Sequence, residues 1–360
     1  MAVARRRRAA AVQKRHGLGH VQGFHRPRRR PGRPGLKKVL VTGCAGFIGS
    51  HVCEALLLRG VDVAGVDDLD EYYDVAMKHD NLAQLRAAAS GGARFYFVKA
   101  DVCDEKAVAA AFSEHAPQAV VHMAALAGVR SSVKHPARYA RVNVEGTVTL
   151  LEACRKNAVR RFVYASSSSV YGNAEKVPTA EEDRTDRPLS PYAATKKAAE
   201  LMCRAYCELW GMRAACLRFF TVYGERQRPD LAIHKFARLM LAGMEIPVFG
   251  PGDTARDYTY IADAARGVMS ALDWTAAPGG AFEVFNLGSG RPVALNDMIT
   301  VLEGALGTVA RVARLPLQST DPRVTFADIS KARRVLGYEP STPFEEGIER
   351  FVAWALSRRP

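Results

Sequence analysis

Acidic residues are missing from the first 38 positions, which hold 13 Lys or Arg and also lack Ser and Thr. Setting that segment apart from the chain's 51 basic and 37 acidic residues leaves 38 against 37 in residues 39–360. The formal net charge of +14 therefore belongs to the tail. The body lacks the basic excess of a nucleic-acid-binding domain, so nucleic acid is not an expected partner, and only the tail could bind a polyanion. Apolar runs in the tail are short. The longest, Ala9 to Val12, can form neither a signal-peptide core nor a membrane span. No Cys-x-x-Cys pair occurs among Cys44, Cys53, Cys103, Cys154, Cys203, Cys207 and Cys216. An odd set placed mostly in apolar segments excludes a disulfide framework or a zinc site and suits buried thiols in a reducing compartment. No internal repeat is visible.

Residues 1–36, with Pro27, Pro31 and Pro34 and no helical or strand period, are expected to be a disordered basic tail. Three roles fit its composition. An organelle address is one, although Ser and Thr are lacking. A weak polyanion-binding arm is another. The third is an unstructured leader from a GC-rich coding region. A cytoplasmic protein is expected, or an organellar one if the tail is an address.

From Lys37 onward the pattern is that of a folded α/β protein. Short apolar strands are expected at Lys37 to Val41, Val61 to Val66, Phe95 to Val98, Ala119 to Met123, Phe162 to Ala165 and Ala214 to Phe219. Helical patterns lie between them at Phe47 to Arg59, Glu105 to His115, Ala137 to Asn157 and Tyr192 to Trp210. This alternation predicts a doubly wound parallel sheet of the Rossmann type over 37–220. After Phe220 the alternation weakens. Residues 221–360 are expected to form mainly a smaller substrate-binding lobe, with return segments near 258–287.

Gly43, Gly46 and Gly49 stand in a G-x-x-G-x-x-G loop that follows the first strand and opens a helix at Phe47 and Ile48. Such glycines let the backbone approach a pyrophosphate, and the helix N-terminus offers free N–H groups and positive dipole. Asp67 ends the second strand, 24 residues after Gly43. A carboxylate there can bind both ribose hydroxyls and repels a 2′-phosphate, which favours NAD over NADP. Asp101 and Val102 follow the third strand, where a carboxylate can face the adenine amino group. Ala124 and Ala125 end the fourth, where small side chains let a cofactor lie against backbone.

Tyr192 and Lys196 are four residues apart and share one face of the expected helix. A nearby ammonium and the nicotinamide charge both favour phenolate, so Tyr192 is a candidate base near neutral pH. Ser166 to Ser169 end the fifth strand, where strand ends line the ligand crevice, and a serine there could hold a substrate hydroxyl against Tyr192.

Together these residues resemble the extended short-chain dehydrogenase/reductase family, in its nucleotide-sugar epimerase branch. Residues 37–354 are similar to UDP-glucuronate 4-epimerases. The segments that carry the likeness are Asp70 to Asp74, Ala127 to Arg130, Tyr164 to Gly172, Tyr192 to Lys197, Leu217 to Gly224, Gln227 to Asp230 and Arg256 to Tyr260. The resemblance implies bound NAD, a UDP-sugar substrate and a homodimer built on a helix bundle. It implies Ser167, Tyr192 and Lys196 as the catalytic set. It places Thr221 against the sugar nucleotide, Arg228 on the uronate carboxylate and Arg256 on the diphosphate, with Arg130, Ser168 and Ser169 also facing substrate.

Relatives that decarboxylate or dehydrate carry Glu where this chain has Ser169, and dehydratases carry Asp at the position of Ser168. Their absence favours a reaction that keeps the carboxylate. Relatives usually have Pro-Gly within the stretch that here reads Gln318-Ser319-Thr320-Asp321. Other readings are an epimerase of UDP-glucose and UDP-galactose, a UDP-glucuronate decarboxylase, and, outside enzymology, an NAD-sensing or polyanion-binding module.

Overall fold

The computed structural model describes residues 35–89, 92–316 and 322–358. The tail reading for residues 1–34 and the Gln318–Asp321 stretch lie outside them. The expected apolar runs form parallel strands, buried on both faces as a helix-covered sheet demands except at the half-buried edge strand Phe95–Lys99. In chain order the strands are β1 (Lys38–Thr42), β2 (Asp62–Asp67), β3 (Phe95–Lys99), β4 (Ala119–His122), β5 (Arg161–Ser167), β6 (Arg213–Phe219), β7 (Thr221–Tyr223), β8 (Glu245–Phe249), β9 (Ala255–Tyr260), β10 (Ala281–Leu287), β11 (Pro292–Ala294), β12 (Arg311–Leu315) and β13 (Val324–Thr325).

Seven of these form one sheet in the order β10-β6-β5-β4-β1-β2-β3. The chain winds outward from β1 through β2 to β3, then returns to the other side of β1 with β4. That reversal opens a crevice at the carboxyl ends of β1 and β4. Register sets its floor. Thr42 lies level with Val66 on β2 and His122 on β4, so Gly43 and Met123 leave the sheet together beside Asp67, the last residue of β2. On the other side Ser167 is level with Phe219 on β6, and Phe219 with Leu287 on β10.

The helix expected at Ala137 to Asn157 forms as Pro136–Ala140, a π-turn at Arg141–Glu145 and Gly146–Lys156. The wide turn carries Asn143, which is buried. Its amide donates to the Leu126 carbonyl at 3.0 Å and to Thr195 Oγ1 at 3.1 Å, and its oxygen accepts from Leu126 N at 2.8 Å. A helix at Val75–Ala88 was not expected from periodicity, since it has little apolar surface; it is capped by Asp74, whose carboxylate accepts from Ala76 N at 2.9 Å.

Beyond β6 the strands are short. β7, β11 and β13 each pair with β9, and β8 pairs with β12. The expected return segment divides at Tyr260. Residues up to Tyr260 belong to β9 in the small sheet, whereas the Ile261–Trp274 helix packs back on the Phe47–Leu58 helix and on β5 and β6. β10, which contains Glu283 to Leu287, joins the edge of the large sheet beside β6.

Candidate functional site

The cofactor side is built from backbone. Gly43 has φ +66°, and a Cβ there would stand 2.7 Å from Ala124 N. Only glycine lets the β1 and β4 exits come this close. Ala124 N also donates to Thr42 Oγ1 at 3.2 Å, which ties the two exits together. The Phe47–Leu58 helix has no side-chain cap at Gly46 and no acidic residue in its first turn. Its N-terminus is thus left for an anion, and the Gly43–Gly49 cradle fits a dinucleotide pyrophosphate. Ile48 lies in the first turn of that helix, and Ala125 follows Ala124 in the loop after β4.

Asp67 is more occupied than a free ribose acceptor. Its oxygens accept from Ala45 N at 3.0 Å and Leu69 N at 2.9 Å, and Lys78 Nζ stands 3.6 Å away. It braces the glycine loop from its place at the end of β2. Asp101 accepts from Cys103 N and from Arg141, each at 2.9 Å, and Val102 is buried beneath it.

The serine, tyrosine and lysine cluster sits at the carboxyl end of β5. Ser190 caps the Pro191–Trp210 helix by accepting from Ala193 N at 3.2 Å, with Pro191 in the first turn. That helix brings Tyr192 to Ser167, whose hydroxyl oxygen is close enough to favour the ionised phenol. Ser169 donates to the same Ser167 oxygen at 2.9 Å. Ser168 lies between them in a short 3-10 turn. Lys196 is buried, donates to the Ala165 carbonyl at 2.7 Å and lies 5.0 Å from the Tyr164 ring centroid and 5.9 Å from that of Tyr192. Burial pushes its pKa down to about 7.

Burial raises the Tyr192 pKa, and the opposing pull of Ser167 and Arg228 does not reverse it. Lys196 directs its ammonium at a carbonyl, so the protein alone does not bring the phenol to the neutral range.

On the sugar side, Arg228 reaches the cluster from the loop after β7. Its guanidinium faces the Tyr72 ring at 5.5 Å and is close enough to favour ionised Tyr192. Thr221 is the first residue of β7. Arg130 lies in the Val129–Lys134 helix, with its guanidinium 5.1 Å from the centroid of the Phe249 ring. Arg256 lies on β9, where it donates to the Ala255 carbonyl at 2.9 Å.

Several contributors had no role assigned from sequence. Tyr72 and Lys78 belong to the segment after β2, and only tertiary contact reveals them. Glu200, one turn beyond Lys196, accepts from Ser166 Oγ at 2.6 Å and pairs with both Arg218 Nε and Nη2 at 2.9 Å. Arg218 also donates to Tyr171, which donates to Asn286 at 2.6 Å. This buried chain fixes the serine strand from behind. Glu200 would be neutralised by burial, but Arg218, Ser166 and Lys197 hold its pKa below the ordinary value. The signal was an acidic residue on the buried face of an amphipathic helix. Among the described residues no group of three or more His, Cys, Asp or Glu could hold a metal ion, and no helix is long and apolar enough to cross a membrane.

Residues 39–288 match the NAD dependent epimerase/dehydratase family. A UDP-glucuronate 4-epimerase of Thermodesulfobacterium geofontis is 42% identical over 88% of this chain and 95% of its own length. A Bacillus cereus UDP-glucuronic acid 4-epimerase, solved with UDP-glucuronic acid and NAD, superposes with a TM-score of 0.82 at 35% identity. It covers 89% of this chain and 99% of its own. A Thermotoga maritima UDP-glucose 4-epimerase solved with UDP-glucose gives 0.80 at 34% identity, covering 89% and 99%.

Proposed function

The chain belongs to the NAD dependent epimerase/dehydratase family, and from that premise we propose that it interconverts UDP-glucuronate and UDP-galacturonate by transient oxidation at carbon 4. The observation that carries the choice of sugar is Arg228, a cation brought to the Tyr192–Ser167 cluster where a carboxylate on carbon 6 could meet it.

Ser167 orients the 4-hydroxyl and Tyr192 takes its proton and later returns it. Lys196, held on the Ala165 carbonyl, positions the helix face that presents Tyr192. The glycine loop, Asp67 and Lys78 would hold NAD, with Asp101, Val102, Ala124 and Ala125 shaping the adenine and nicotinamide ends. Bound NAD supplies a two-electron acceptor that gives the electrons back to the same sugar, so no external reductant is consumed.

The 4-keto uronate is a β-keto acid and loses CO2 when its carboxylate bond aligns with the ketone π system. Arg228 with Ser168, Ser169 and Thr221 would hold the carboxylate near the sugar plane, where that overlap is poor. No acidic side chain stands at 168 or 169 to assist decarboxylation or dehydration. Arg256 would take the diphosphate, and Arg130 would close over the sugar side.

The same reading divides the labour. Residues 37–220 with β10 would carry NAD, and most of 221–360 would carry the sugar nucleotide. A homodimer is supported by the exposed face of the Pro191–Trp210 helix, where Ala194, Leu201, Ala205 and Leu209 line up. A monomer by light scattering at micromolar concentration would remove it. Seven unpaired cysteines, six of them buried, support a reducing compartment such as the cytoplasm, which cell fractionation would test.

Arg228→Leu tests the choice of sugar. Turnover of UDP-glucuronate should fall at least tenfold, about 1.4 kcal/mol for a lost charge-assisted contact. A neutral-sugar epimerase would keep its turnover of UDP-glucose or UDP-galactose in the variant, and undiminished UDP-glucuronate turnover would show that Arg228 does not hold the carboxylate.

A further inference from the structure

We propose that Asp230 tempers the uronate preference of this site as a resident carboxylate, occupying the Arg228 fork until the substrate's own carboxylate displaces it. The proposal rests on the uronate reading above. Arg228 donates through Nε to Asp230 Oδ1 and through Nη2 to Oδ2, each at 2.9 Å. This is the two-bond, parallel arrangement that guanidinium and carboxylate make best. Asp230 therefore already has the form of the ligand that Arg228 is expected to take.

Three features suit exchange better than a permanent lock. The partners are two residues apart in one loop, so opening the pair asks for no tertiary rearrangement. The Asp230 side chain is 37% exposed and that of Arg228 18%, so a released Asp230 turns into water at small cost. The Tyr72 ring faces the guanidinium independently of Asp230 and keeps a flat support under it through the exchange.

The pair also explains how a cation can wait beside a buried phenol. With Asp230 in place the fork is neutralised and its donors are satisfied. A neutral sugar leaves the pair closed and gains no charge contact. A uronate opens it, and its net gain is the difference between two similar carboxylate contacts. Asp230 thus lowers the affinity for the uronate without removing the preference for it.

Calorimetry on the NAD-loaded protein with UDP-glucuronate and UDP-glucose tests this. In Asp230→Asn the ratio of the UDP-glucose to the UDP-glucuronate dissociation constant should rise about two- to five-fold, the span an exposed ion pair is worth. Asp230→Glu keeps a competing carboxylate and should hold the ratio near that of the natural protein. A ratio that stays level or falls in Asp230→Asn would show a permanent brace and overturn the proposal, as would an Asp230→Glu protein that behaves like Asp230→Asn. Arg228→Leu separates the two layers. A collapsed ratio there, with Asp230→Asn level, overturns the exchange and keeps the uronate reading. A ratio that Arg228→Leu leaves unchanged overturns the uronate reading and the exchange with it.

Discussion

The proposed cofactor half of the cleft is made of backbone, whereas the proposed sugar half is made of side-chain charge. Around Gly43 no arginine is needed. A positive φ, a close approach to Ala124 and an uncapped helix N-terminus make the anion site. Around Tyr192 the groups come from separate places in the chain: Tyr72 after β2, Ser167 at the end of β5, Arg228 after β7. One half tolerates little change in backbone geometry. The other can be retuned by exchanging side chains, which is how one fold can serve uronates and neutral sugars.

Tyr192→Phe would sharpen the contrast most. It removes the proton acceptor and leaves the backbone alone. Turnover should fall about a hundred- to ten-thousand-fold while NAD content and melting temperature hold, measured on one preparation. If NAD content fell equally, the two halves would not be separable.

Gly43→Ala attacks the other half. Its side chain would sit in a left-handed conformation, 2.7 Å from Ala124 N. The cost should be about 1–3 kcal/mol of stability, with loss of NAD retained through purification. Undiminished NAD in the denatured supernatant would show that the cradle is looser than its geometry implies.

The effect of Lys196→Met runs against intuition. Burial holds the lysine pKa down to about 7 against an ordinary 10.5. The unfolded chain therefore binds more protons between those values, and the natural protein gains stability as pH rises through that window. The burial cost is full below pH 7. The variant should melt higher than the natural protein at pH 6, lose that advantage toward pH 10 and turn over more slowly. A lower melting point at pH 6 would show that the Ala165 hydrogen bond and the Tyr164 ring outweigh burial.

The same difference explains what could be read from the chain beforehand. The large sheet was legible because fully buried parallel strands leave short continuous apolar runs, and β1 to β6 fall within a residue or two of their expected ends. The glycine loop was legible because close backbone approach restricts residue type at fixed spacing. The Val75–Ala88 helix was not, since its stability comes from a cap and tertiary packing and not from an apolar stripe. The π-turn at Arg141–Glu145 changes no periodicity that a short window can detect. Tyr72, Asp230, Glu200 and Arg218 stood inside or beside quoted motifs, yet their contacts span strands distant in sequence or depend on side-chain orientation. The Tyr192 electrostatics were less legible for a related reason: charge proximity can be guessed from spacing, whereas the burial that opposes it cannot.

The central claim is that this site oxidises a uronate at carbon 4 and keeps its carboxylate. Incubating the purified protein with UDP-glucuronate, without added NAD, and separating the nucleotide sugars tests it most directly. UDP-galacturonate should accumulate to a constant ratio with the substrate, with no CO2 released. UDP-pentose as the main product would contradict the carboxylate-holding role of Arg228, Ser168, Ser169 and Thr221.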